Sequence, residues 1–221
     1  MCGRYAITTA PEAIRRLFQL PGPTPNFAPH YTAAPGQELP VIRLHPESGD
    51  RVLGTLRWGL IPHWSKGAKT GWKGINARGE KVKRANAFRD AYQRRRCIVP
   101  VDAFFEWKAN GKAKQPYAIA MRDRRPFAFA GLWENWKDPA TQDWVRTFTI
   151  LTTQPNEIVA PLHDRMLILH ARDYDQWLDK DYDPADLIRP FLDDGMVTWP
   201  VSARVNKPEN DDATILDRLA V

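Results

Sequence analysis

Residues 126–133 read Pro-Phe-Ala-Phe-Ala-Gly-Leu-Trp, an apolar run that follows the charged stretch Arg122–Arg125. Aromatic and β-branched runs between turn signals are typical of β-strands. Further runs of this kind lie on both sides of it, at Val41–Leu44, Arg51–Trp58, Cys97–Val101, Tyr117–Met121 and Arg146–Thr152. Together they predict a mainly antiparallel sheet that is strongly bent or barrel-like.

Short helices are predicted around these strands. Pro11 opens an amphipathic stretch at 12–20, and residues 84–96 place Ala85, Phe88 and Tyr92 at helical spacing. Further short helices are predicted at 156–162, 173–179 and 184–194. The 221 residues contain no repeat, low-complexity tract or linker that would mark a boundary. The expected fold class is therefore α+β: one domain over 1–221, a distorted barrel with flanking short helices.

The positive charge is concentrated in one segment. The chain has a net charge of +6, and Arg78–Arg96 contains eight basic residues against two acidic ones, so this segment alone accounts for the net charge. A concentrated basic segment favours a polyanionic partner. A solvated helix face explains the charge about as well.

The sequence favours a cytoplasmic protein without bound cofactors. No basic flank leads into an apolar run after Met1, and no stretch approaches the ~20 apolar residues of a membrane span. Its two cysteines, Cys2 and Cys97, are expected to be free thiols. Neither zinc-ligand spacing nor a nucleotide-binding motif is present, so no metal and no cofactor are expected.

Cys2 follows the initiator methionine. Removal of Met1 would place an α-amine and a thiol on one residue. The reference pKa of an α-amine is ~7.7–8.0, so part of it is neutral near pH 7 and can condense with an aldehyde to an imine. The thiol can then close a five-membered thiazolidine ring, helped by its high effective concentration. Taken alone, Cys2 is better explained as a tolerated small residue after the initiator.

Two other residues are candidates for proton transfer. Glu106 ends the apolar run Val99–Phe105, where burial would raise its pKa and suit it to acid–base work. His163 lies beside Asp164 and Arg165, which can fix its tautomer and bind a phosphate. Each residue alone has a structural explanation: Glu106 as an edge carboxylate facing water, His163 as a structural histidine.

A loop of tryptophans and lysines at 64–74 is typical of surfaces that stack on bases and track phosphates. It contains Trp64, Trp72, Lys66, Lys69 and Lys73. The same tryptophans could be core residues beneath a lysine-covered surface.

Several short motifs, in order, resemble the SOS-response-associated peptidase (SRAP) family. They include Met1–Tyr5, Ala34–Gly36, Arg57–Pro62, Asn76–Arg78, Arg96–Pro100, Phe105–Trp107, Phe129–Trp133, Leu151–Thr153, His163–Met166 and Val201–Ser202. This resemblance spans nearly the whole chain. It implies a distorted barrel with a basic groove for single-stranded DNA leading to Cys2.

The resemblance also implies roles for individual residues. Cys2 would be the nucleophile, both in releasing Met1 and in bonding to the abasic aldehyde. Asn76 would position the N-terminal residue, Glu106 would move protons at the α-amine, and His163 would help to open the closed sugar. The flanking phosphates and the strand would be held by Arg4, Trp64, Arg78, Thr152 and Arg165.

The expected function is to sense abasic sites in single-stranded DNA during the DNA-damage response, as a monomer, through a covalent thiazolidine crosslink. Self-processing peptidase activity and weak lyase activity would accompany it. In a bacterium the protein would associate with the nucleoid. Two alternatives stay open: a Cys–His thiol peptidase acting in trans, and a non-catalytic single-strand binder. The position of Cys2 at the N-terminus argues against the peptidase.

Overall fold

The computed structural model describes residues 3–111, 113–166, 169–191 and 195–220. Cys2 therefore lies outside the described residues. Within them, the strands are β1 Tyr5–Ile7, β2 His30–Ala33, β3 Glu38–Leu44, β4 Arg51–Trp58, β5 Asn76–Arg78, β6 Arg96–Val101, β7 Ala103–Asn110, β8 Ala113–Met121, β9 Phe127–Lys137, β10 Trp144–Thr152 and β11 Met196–Pro200. The α-helices are α1 Pro11–Leu17, α2 Gly79–Val82, α3 Arg89–Arg94 and α4 Tyr174–Leu178.

Five strands close into a barrel in the order β4, β3, β6, β9, β10. Neighbours in this order pair antiparallel, and β10 returns to pair parallel with β4 at Thr147 and Arg57, which closes the ring. β5 continues along the same edge of β10, with Thr152 opposite Arg78. Closure leaves no unpaired edge at β4, which stabilises a barrel of mainly antiparallel strands.

A second sheet, in the order β11, β8, β7, β1, β2, packs beside the barrel, and all its pairs are antiparallel. Tyr5 of β1 links the two sheets. Its main chain pairs with Phe104 of β7, and its ring lies 5.2 Å from that of Trp58 and 6.1 Å from that of Phe129, both barrel residues. The start of the described chain is thereby fixed at the junction of the two sheets.

The α+β class and the barrel predicted from the sequence are confirmed, and the predicted runs all lie in strands. The helix predictions were less accurate. α1 ends at Leu17, and Gln19 takes a positive φ of 53°. α3 begins only at Arg89, and residues 156–162 form hydrogen-bonded turns instead of a helix. There the Asn156 amide accepts the N–H of Val159 and donates to the carbonyl of Phe191, and the few helical hydrogen bonds, such as Ala160 N–H to the Asn156 carbonyl at 2.9 Å, do not continue into a regular helix.

Residues 184–194 are helical only at Pro184–Leu187 within their described part. Five strands carried too weak a signal to be predicted: β1, β2, β5, β7 and β11. No helix among the described residues is both long and apolar enough to cross a membrane.

Gly131 of β9 lies in the barrel interior, and its substitution would test how tightly this interior is packed. A Cβ at this position would lie 2.8 Å from the Cys97 sulfur and 3.1 Å from the Thr149 carbonyl oxygen. We expect Gly131→Ala to lower the free energy of unfolding by roughly 1–3 kcal/mol through overpacking, measured by urea titration. Gly67→Ala is the control, because a Cβ there meets nothing within 4 Å. If Cys97→Ala fails to restore part of the loss in the Gly131→Ala background, the clash with the sulfur is not its cause.

Candidate functional site

A cavity of about 480 Å³ opens where the second sheet meets the barrel. β7 carries its buried wall: Phe104 enters the main core and Phe105 the second core, and Glu106 follows them. The Phe105 N–H donates to the Arg4 carbonyl at 3.1 Å, which holds the start of the described chain against this strand. The described residues that line the cavity are Gly3, Arg4, Glu106, Trp107, Lys114, His163 and Asn206.

Glu106 is the buried carboxyl group of this cavity, with only 2% of the residue exposed. Burial disfavours the ionised form and raises its pKa to about 7, and the nearby Asp164 carboxylate adds to the rise. A carboxyl group with a pKa near 7 exists in both protonation states at neutral pH. Glu106 can therefore both take and give a proton, as acid–base chemistry requires.

His163 faces the same cavity from the loop after β10. A short bridge between Thr153 and Met166 fixes this loop, with hydrogen bonds of 2.7 and 3.0 Å. The His163 Nδ1 accepts the N–H of Arg165 at 3.0 Å and also lies 3.1 Å from the Asp164 carboxylate. The two contacts require opposite protonation of Nδ1. Because burial lowers the pKa of His163, we assign the neutral ring, with Nδ1 accepting and the proton on Nε2.

A second cluster lies at the end of β10, next to the loop of His163. The Arg165 guanidinium binds both carboxylate oxygens of Glu80, at 2.7 and 2.8 Å, and its Nε donates to the Thr152 Oγ1 at 3.4 Å. Thr152 is 1% exposed and pairs with Arg78, whose side chain is exposed. The structure thus brings together Arg78, Thr152 and Arg165, three of the residues expected to hold phosphates. Arg165 is already paired with an acidic side chain.

Other predicted residues lie apart from the cavity. Asn76 begins β5 opposite Ile150, and Trp64 is 56% exposed in the loop after β4; neither is among the described residues that line the cavity. Trp72 is 63% exposed, so both tryptophans of this loop are surface residues and not core residues. Cys2 itself is outside the described residues, and its sequence neighbour Gly3 lines the cavity.

The basic segment 78–96 does not form one continuous surface. Arg96 is 5% exposed and donates to five main-chain carbonyls, so its role is structural; they are those of Tyr92, Gln93, Trp177, Asp179 and Tyr182. Lys83 pairs with Asp183 at 2.7 Å, and Arg95 with Glu134 at 2.7 Å. The positive charge that is concentrated at 78–96 in the sequence is therefore not concentrated on one face of the folded protein.

Sequence reasoning missed two residues of the cavity and assigned no role to a third. Asn206 accepts the indole N–H of Trp107 at 2.8 Å and, through its carbonyl, a guanidinium N–H of Arg4 at 3.3 Å. Lys114 completes the wall. Trp107 directly follows Glu106 in the motif Phe105–Trp107 and could have been found from that motif, whereas Lys114 and Asn206 carry no local signal. Within the described part of the chain, no group of three or more His, Cys, Asp and Glu side chains could hold a metal ion.

Comparison with known proteins identifies relatives over most of the chain. The profile of the SOS response associated peptidase (SRAP) family matches residues 1–208. The abasic site processing protein YoaM of Bacillus subtilis is 40% identical over 98% of both chains, and the abasic site processing protein HMCES of Xenopus tropicalis is 27% identical over 96% of this chain and 76% of its own. A crystal structure of a Bacteroides thetaiotaomicron protein superposes with a TM-score of 0.88, at 25% identity, over 99% of this chain and 100% of that one.

The raised pKa of Glu106 predicts a cost in stability. Between its ordinary value near 4.5 and about 7, the folded state binds more protons than the unfolded state, so the free energy of unfolding falls as pH rises through this window. The full penalty, on the order of 3 kcal/mol, is present above pH ~7. We expect Glu106→Gln to gain stability relative to the parent between pH 5 and pH 8, measured by urea unfolding at both values. The exposed Glu157→Gln should show no such gain; an equal gain there would contradict the assignment to Glu106.

Proposed function

Because the chain belongs to the SOS response associated peptidase (SRAP) family, we propose that it processes abasic sites in single-stranded DNA by covalent attachment to Cys2. The observation that carries the proposal is the buried carboxyl group of Glu106, which lines a cavity together with Gly3, the sequence neighbour of Cys2. Relatives at 27% and 40% identity are named abasic site processing proteins. The individual steps of the proposed reaction follow from the chemistry of the residues that line the cavity.

The covalent chemistry begins at the free α-amine of Cys2. Its nitrogen attacks the aldehyde carbon of the opened sugar, and the resulting carbinolamine loses its hydroxyl group as water to give an imine. The Cys2 sulfur then adds to the imine carbon while its proton passes to the nitrogen. The product is a thiazolidine, and one water is released overall. Ring closure makes the adduct more durable than a simple imine.

Glu106 is the proton carrier in this scheme. With a pKa of about 7, it can take the proton that the attacking amine loses and return it to the departing hydroxyl group. An ordinary exposed glutamate would be fully ionised at pH 7 and a poor proton donor. The burial of Glu106 in β7 therefore suits it both to accept a proton from the amine and to return that proton to the departing hydroxyl group.

His163 is the proposed proton donor that opens the sugar ring. In the neutral tautomer, the proton lies on Nε2, because Nδ1 accepts the Arg165 N–H at 3.0 Å. Donation of this proton to the ring oxygen of the closed hemiacetal would break the C1′–O4′ bond, while the C1′ hydroxyl loses its proton. The free aldehyde that results is the species that the amine attacks.

Two further activities belong to the proposal. Release of Met1 would proceed by attack of the Cys2 thiolate on the Met1 carbonyl and hydrolysis of the thioester by water. Weak lyase activity would arise at the imine, which acidifies the C2′ hydrogen and allows loss of the 3′ phosphate; closure of the thiazolidine competes with this elimination. We propose that a monomer suffices, since one copy of the chain supplies all of these groups.

Variants at the three catalytic positions should separate their roles. We expect Cys2→Ala to form no heat-stable crosslink with an abasic oligonucleotide, and Glu106→Gln and His163→Ala to crosslink roughly 10²–10⁴-fold more slowly. The measurement is a time course on denaturing gels, with binding of a lesion-free oligonucleotide as the control for the DNA site. The parent rate should rise with pH through about 7, the pKa of Glu106, and in Glu106→Gln the rise should move to the range of the α-amine, ~7.7–8.0. A heat-stable adduct with Cys2→Ala would sink the proposed chemistry.

Glu80 is expected to restrain DNA binding. Its carboxylate occupies two N–H groups of Arg165, and the Thr152 side chain and carbonyl accept others, so a phosphate must displace Glu80 to reach this guanidinium. We expect Glu80→Gln to tighten single-strand binding by up to about fivefold and to steepen its salt dependence, measured by fluorescence anisotropy.

Two comparisons control this measurement. Arg165→Gln should weaken binding, and the exposed Asp217→Asn, which removes an equal charge elsewhere, should change affinity little. If Glu80→Gln weakens binding to the same extent as Arg165→Gln, Glu80 instead positions Arg165 for the phosphate.

A further inference from the structure

Two adjoining cavities lie at the mouth of the barrel opposite the cluster of Glu80, Thr152 and Arg165, which is called the Arg165 cluster here. Their volumes are about 460 and 560 Å³, and they share the walls formed by Arg94, Arg95 and Asn135. Trp133 lines one cavity and Trp144 the other. We call this pair the far-mouth groove. Trp144 begins β10 and Thr152 ends it, so about 26 Å of strand separates the groove from the Arg165 cluster.

The groove contains hydrogen-bond donors suited to an anion. Glu134, 3% exposed, accepts from the Arg95 guanidinium at 2.7 Å and lies 3.3 Å from the His63 ring, which fixes both side chains. In the described part of the chain, the Nε of Arg95 is buried without a hydrogen-bond partner, and so is the Nε of Arg43. The Arg43 guanidinium lies 4.9 Å from the ring of Trp133. Buried donors without partners are costly unless a ligand or water accepts from them.

The rim of the groove adds positive charge and an aromatic platform. Across β9 and β10, Lys137 pairs with Trp144, and Asn135 pairs with Arg146. Lys180 lines the cavity that contains Trp133. Trp144 is 67% exposed, and the Lys137 Nζ lies 6.0 Å from its ring. A solvent-exposed indole between cationic side chains is the arrangement on which unpaired bases stack.

We propose that the far-mouth groove binds a second stretch of single-stranded DNA, with phosphates at Arg94 and Arg95 and a base on Trp144. Two adjoining cavities in line fit a chain of nucleotides better than a single one. A stacked strand advances ~3.4 Å per nucleotide, so the distance along β10 corresponds to about eight stacked nucleotides; an extended strand, which advances roughly twice as far per nucleotide, covers it with about four. This contact rests on the proposed DNA substrate but requires neither the lesion nor the covalent step.

The test uses Arg94→Gln combined with Trp144→Ala, both at exposed positions of the full chain. We expect this double variant to bind a lesion-free single strand of roughly 30 nucleotides about tenfold more weakly, with a shallower salt dependence, measured by anisotropy. Arg84→Gln, exposed in the same basic segment but lining neither cavity, is the matched control and should bind as the parent does. Unchanged affinity of the double variant would overturn the proposal.

Two further measurements distinguish DNA binding at the far-mouth groove from the proposed covalent function. A short abasic oligonucleotide of roughly three nucleotides cannot span both sites even when extended, so its crosslinking rate should be equal in the parent and the double variant. Absence of any crosslink with the parent would count against the proposed function alone and leave the groove result standing. A nucleoside monophosphate that competes as well as the long strand, nucleotide for nucleotide, would make the groove a mononucleotide pocket and overturn its assignment to DNA.

Discussion

The packing of Tyr5 between the barrel and the second sheet is the contact on which the site depends. Its ring lies among barrel aromatics, while the main chain around it pairs with β7. The same pairing brings Gly3 and Arg4 beside Glu106. A strand of three residues would have little stability on its own; burial of one aromatic side chain, worth a few kcal/mol, holds it in place. The start of the described chain is thus attached to the buried junction of the two sheets.

The same burial that positions Glu106 also determines its chemistry. A carboxyl group in contact with water would ionise near its ordinary pKa and stabilise the fold more, yet it could not donate a proton at pH 7. Here the protein retains a group that costs stability at neutral pH, which is typical of groups kept for acid–base work. Arg165 is the opposite case, since its charge is neutralised by Glu80 until an anion replaces that partner.

DNA binding at the far-mouth groove, as proposed, would give the barrel DNA-binding surfaces at both ends. β10 connects the two, with Trp144 at one end and Thr152 at the other. Because strands of a closed barrel are paired along both edges, the separation of the two surfaces is fixed by strand length. Two sites held at a constant distance favour a ligand long enough to occupy both, through the effective concentration that the first contact provides for the second.

The sequence by itself determined the α+β class, the six strands with strong apolar runs and the order of the family motifs, because these depend on local pattern. It also singled out Glu106 and His163. Only the tertiary structure decided which residues meet: Asn206 beside Trp107, and Glu80 on Arg165, are separated by 99 and 85 residues in sequence. Short strands such as β5 form because β10 offers an open edge beyond its pairing with β4, and the turns at 156–162 are tied to Phe191 through the Asn156 amide. Such partners come from distant parts of the chain, so no local pattern specifies them.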